Sequence, residues 1–80
     1  MQRSITFIKI QTRVVAKYPK IQGAWWNLGI AYEYSNRFAE AEEALKEAGR
    51  VAPCDKCARE IQNVRWLAEN MKKLQEQGVR

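Results

Sequence analysis

The stretch WWNLGIAYEYSNRFAEAEEALKEAGRVAP, residues 25–53, decides the fold. Trp25, Leu28 and Tyr32 stand at i, i+3 and i+7, one stripe of an α-helix. Gly29 lies beside that stripe, where the lack of a Cβ lets a second helix come close. From Phe38 onward, Phe38, Ala41, Ala44, Leu45 and Ala48 share one helical face, and Glu40, Glu43, Lys46 and Glu47 lie largely on the other. Small alanines on an apolar face suit close helix packing. Between the two segments sits Ser35-Asn36-Arg37. Asn tolerates left-handed backbone, so Asn36 is the expected residue just past the end of the first helix. Pro53 has no amide hydrogen and stops the second helix. The pattern predicts a helix-turn-helix hairpin.

Trp25, Leu28, Gly29, Tyr32, Ala41, Leu45, Ala48 and Pro53 also fall at the spacing of a known repeat. Residues 22–55 resemble one tetratricopeptide repeat, whose period is about 34 residues with a W-x2-L-G-x2-Y, A-x3-F and P pattern. Leu45 departs from it, since the pattern prefers an aromatic there. One period before Pro53 stands Pro19, which gives residues 1–18 the place of a preceding second helix. Phe7, where the pattern wants alanine, together with Gln11 and Val14, makes a non-standard lead-in or capping helix an equal alternative. After Pro53 the four signature positions hold Arg59, Gln62, Asn63 and Trp66, and only Trp66 fits. Residues 55–77 therefore read as a terminal capping helix, which a stack needs where it stops. The resemblance implies an all-α fold: a fragment of a right-handed α-α superhelix in one domain, with a lead-in helix over 1–18, a full repeat over 22–53 and a cap over 55–77.

Composition agrees with that class. The chain has 80 residues, 46% hydrophobic and 29% charged, which is ordinary for one globular domain. No apolar run approaches the roughly 18 residues of a membrane span, and Lys9 and Arg13 interrupt the N-terminal apolar segment before it can serve as a signal core. The expected location is the cytoplasm. A single repeat buries its apolar face only against neighbours, so so short a stack is expected to be marginal alone.

Members of this family hold ligands against the first helix of each hairpin. The resemblance thus implies a partner-binding strip of Gly23, Trp26, Asn27, Ile30, Glu33 and Tyr34. Adjacent helical residues point about 100° apart. Trp25 is therefore expected in the core and Trp26 on the binding face, with cover over the N-terminal helix as an equal alternative for Trp26. The bland reading of the strip is a solvated helix face. Some family members grip a C-terminal carboxylate through lysines, arginines and asparagines. Asn27 matches that clamp, but Trp26, Ile30, Cys57 and Ile61 occupy the places of its other polar and basic groups, which argues against carboxylate recognition.

The net charge is +5, unevenly spread. Residues 1–21 carry Arg3, Lys9, Arg13, Lys17 and Lys20 and no acid, whereas Glu33, Glu40, Glu42, Glu43 and Glu47 outnumber the bases of the central hairpin. Such a pattern steers a protein or peptide partner with an acidic surface, or a second copy docked basic end to acidic helix. Nucleic acid is disfavoured, because no recognised motif accompanies the basic residues.

Cys54-Asp55-Lys56-Cys57 is the one motif with chemical potential. A thiol at a helix start is favoured as thiolate, and the spacing supplies half of a zinc site. With no other cysteine and no histidine, one chain does not complete a soft-ligand shell. The readings are a structural pair with Cys57 packed inward, a reversible local disulfide that makes Cys54 and Cys57 a thiol redox element, and a metal shared between chains. No catalytic residue, resident metal or cofactor is expected: histidine is absent, and Ser4 and Ser35 have no base nearby in sequence. The functional expectation is a non-catalytic interaction module, an adaptor or scaffold. Self-association by exchange of helices is the rival within the same fold.

Overall fold

The computed structural model describes residues 2–76 and contains four α-helices: α1 Gln2–Lys17, α2 Gln22–Tyr34, α3 Phe38–Val51 and α4 Asp55–Glu76. Residue 77 of the expected cap lies outside the described residues, which contain no strand. Each helix packs chiefly on the next in sequence, α1 on α2, α2 on α3 and α3 on α4. The Cα envelope measures 42 × 29 × 13 Å. Packing between sequence neighbours dominates, so the helices form an open stack, not a closed bundle.

The α2–α3 connection follows from its sequence. Asn36 adopts φ 61°. With Asn36 left-handed, the Arg37 amide donates to the Tyr32 carbonyl at 2.9 Å and the Asn36 amide to that of Glu33 at 3.0 Å. These are the two reversed bonds of a Schellman cap, and they satisfy carbonyls that the end of α2 leaves open. The Ser35 hydroxyl adds a bond to the Ala31 carbonyl at 3.1 Å.

Two apolar clusters flank the hairpin. One unites Ile8 and Val15 of α1 with Ala24, Leu28 and Ala31 of α2 and Ala44 of α3; Trp25, Val14 and Tyr32 pack against it. The other joins Ala41 and Leu45 of α3 to Val64 of α4, with Trp26, Phe38 and Ile61 packed on it. Gly29 is the point of closest approach within the hairpin. A Cβ placed there would lie 2.8 Å from Leu45 Cγ and 3.4 Å from the Ala41 carbonyl oxygen.

The tryptophan expectation needs correction. Both rings are half-buried: Trp25 packs on the cluster shared with α1, and Trp26 packs on the cluster shared with α4 instead of standing free on the expected face. The 100° between them sends each to a different neighbouring layer. Trp26 therefore does not cover the N-terminal helix. Trp25 also donates from Nε1 to the Pro19 carbonyl at 2.8 Å, which fastens the α1–α2 turn to α2.

Candidate functional site

The expected binding strip lies on α2, and the structure divides it. Gly23, Asn27 and Tyr34 are exposed, Tyr34 to 76% of its surface. Trp26, Ile30 and Glu33 are half-buried. The Trp26 ring receives the Lys56 ammonium 4.6 Å from its centroid, a cation–π contact that joins α2 to the first turn of α4. Glu33 meets Glu60 across the same seam. Two of the six strip residues, Trp26 and Glu33, are thus engaged with α4.

Glu33 is held in an awkward place. Its Oε1 is buried without a donor, and its neighbour across the seam is a second carboxyl group. Burial first, then the hydrogen bond and negative charge of Glu60, push its pKa up to about 7. One proton between two carboxyls turns a repulsive acceptor pair into a hydrogen bond. By contrast, Glu42 on α3 sits between two cations, Arg65 of α4 at 2.8 Å and Lys46 at 3.3 Å. The hydrogen bond from Arg65 holds its carboxyl below the usual range.

Cys54 and Cys57 are joined in a disulfide at the start of α4. Cys57 is fully buried and Cys54 half-buried. The Cys57 amide donates to Cys54 Sγ at 3.1 Å, so Cys54 also takes the place of a helix N-cap. Among the described residues no group of three or more metal-binding side chains comes together.

A second surface was not singled out by the family pattern. Phe7, Ile10 and Tyr18 of the α1 segment are 41%, 49% and 48% exposed. With half-buried Val14 they stand at i, i+3, i+7 and i+11, a stripe beside the one that carries Ile8 and Val15 into the core. Only half of the apolar arc of α1 is covered. On the hairpin, a cleft of about 410 Å³ opens over Trp25, Leu28 and Tyr32 of α2 and is edged by Glu40, Glu43 and Glu47 of α3. The signal for both was present in the sequence, as a wide apolar arc and a glutamate row at i, i+3 and i+7.

No family model, curated protein or solved structure matches this chain. No described helix is long and apolar enough to cross a membrane.

Proposed function

We propose that the chain is a non-catalytic protein–protein interaction module and that its partner includes a second copy of itself. The carrying observation is that the α1 segment leaves Phe7, Ile10 and Tyr18 about half open to solvent on one side. Apolar residues aligned on one helix side call for a covering surface. The α2 strip is the weaker candidate, because Trp26 and Glu33 already contact α4. The close contact of Gly29 with Leu45 and the left-handed Asn36 support reading the hairpin as one tetratricopeptide-like repeat in a right-handed superhelix. A lone repeat of that kind lacks neighbours, and a second copy supplies them. This association needs no exchange of helices, since all four pack within one chain.

The test is solution mass and thermal unfolding over a hundredfold concentration range. A dimer or larger species whose midpoint rises with concentration is expected. A monomer with a concentration-independent midpoint would overturn self-association.

The Cys54–Cys57 disulfide supports a second reading, a thiol redox element that uses the turn before α4 as its switch. Equilibration in graded glutathione mixtures, followed by alkylation and mass measurement, examines it. A midpoint inside the physiological range of dithiol couples supports the reading. A pair that stays fully reduced or fully oxidised across that range removes it.

A further inference from the structure

Each half of a complementary pair of surfaces is present in the single chain. Phe7, Ile10 and Val14 of α1 and Tyr18, which follows its last residue and donates its amide to the Val14 carbonyl, fall within about 80° of one another around the helix axis. The exposed residues Lys9, Arg13 and Lys17 occupy the adjoining sector, about 20–100° beyond Ile10. Lys9 and Arg13 form no ion pair among the described residues, and no acid precedes residue 33 in the chain. The α1 face is apolar with a basic edge.

The cleft on the hairpin is its counterpart. Its floor is Trp25, Leu28 and Tyr32, and the charged side chains that line it are Glu40, Glu43 and Glu47, with no base among them. Each glutamate does have a cation close by in the chain: Glu40 has Arg37, just before α3, at 3.4 Å, Glu43 has Lys46 at 3.7 Å, and Glu47 has Arg50. These pairs are solvent-exposed and local in the chain, so each contributes little and yields readily to an incoming partner. The dimensions also agree. Lys9 to Lys17 spans about 12 Å of helix and Glu40 to Glu47 about 10 Å.

We infer that α1 of one molecule docks over the Trp25–Leu28–Tyr32 cleft of a second copy, with Lys9, Arg13 and Lys17 against Glu40, Glu43 and Glu47, and that the contact is reciprocal. The inference rests on the self-association proposed above and names its surfaces. Phe7, Ile10 and Tyr18 supply the apolar contact, and the charged edges set register and exclude like faces. Reciprocity makes the assembly a closed two-fold dimer, because each molecule owns one basic face and one acidic cleft.

Charge reversal tests the interface. The proteins compared are the unaltered chain, the pair Lys9→Glu with Arg13→Glu, the pair Glu43→Lys with Glu47→Lys, and all four changes in one chain. Sedimentation over a hundredfold concentration range reads the dimer Kd, and circular dichroism checks helix content. Either pair alone is expected to raise Kd by about tenfold or more, and the fourfold variant to recover most of that loss. An equimolar mixture of the two pair variants should form a heterodimer more tightly than either forms a homodimer, because both of its contacts are matched: the reversed face meets the reversed cleft and the unaltered face meets the unaltered cleft. If the unaltered chain dimerises but the pair variants keep its Kd, these surfaces are wrong and self-association stands. If the unaltered chain is monomeric throughout, both fail. Loss without recovery in the fourfold variant, with helix content intact, also overturns the pairing.

Discussion

At the scale of single residues, two glycines in neighbouring helices have opposite consequences. Gly29 faces Leu45, which is wholly buried, and a methyl group there would overlap the leucine at under 3 Å. Gly29→Ala gains helix propensity but forces the α2–α3 contact apart, so we expect a net loss of about 1–2 kcal/mol. Gly49 of α3 is exposed and a Cβ there meets nothing within 4 Å. Gly49→Ala should stabilise by about 0.5–1 kcal/mol, through helix propensity and a less free unfolded chain. Denaturant titration of both variants checks the signs. A loss at Gly49 or a gain at Gly29 would contradict the packing described. The sequence pointed to Gly29 through its place beside the Trp25–Leu28–Tyr32 stripe. It gave no means of ranking the two positions, because the difference lies in what stands opposite.

Between elements, Gln22 does work that its place in the sequence does not announce. At the first position of α2, its Nε2 donates to the carbonyls of Ala48 at 3.1 Å and Ala52 at 2.6 Å. Both acceptors lie at the end of α3, where helical carbonyls lose their partners. The side chain of one helix start thereby caps the end of the next helix and ties the α1–α2 turn to the α3–α4 turn. Gln22→Ala should cost about 1–2 kcal/mol, since two partly buried carbonyls lose a donor. Amide exchange at the end of α3 should quicken in step with that loss. Unchanged stability would mean that water replaces the glutamine without penalty. Such a contact is illegible in a linear reading, since 26 and 30 residues separate the partners. The Schellman turn was legible for the opposite reason: all of its groups lie within six residues.

For the whole molecule, the acid pair between α2 and α4 sets a pH dependence. The Glu33 pKa is raised from 4.5 to about 7 in the fold. Between those values the folded chain holds a proton that the unfolded chain has lost, so stability falls as pH rises through that window. Glu33 is partly open to solvent, which limits the loss to the order of 1 kcal/mol. Glu42 acts in the other direction. Its lowered pKa gives stability present above its unfolded value, and this is lost on acidification through the lower folded value. Thermal midpoints should therefore decline from about pH 5 to pH 7.5, and Glu33→Gln should flatten that decline. A flat or rising profile in the unaltered chain would mean that Glu33 does not meet Glu60 across the seam.

Helix positions and the turn at Asn36 were determined by the sequence alone, because each depends on local backbone preference or on side chains a few residues apart, whereas the approach of Leu45 to Gly29 is a contact between helices. The open apolar arc and the charge asymmetry were equally present in the chain. The tertiary structure alone decided that Trp25 and Trp26 serve different layers, that Glu33 faces Glu60, that Gln22 caps α3, and that Trp25, Leu28 and Tyr32 floor a cleft edged by glutamates. These contacts depend on how far and at what rotation one helix lies against another. That geometry is set by the sum of many packed side chains, and no local pattern fixes it.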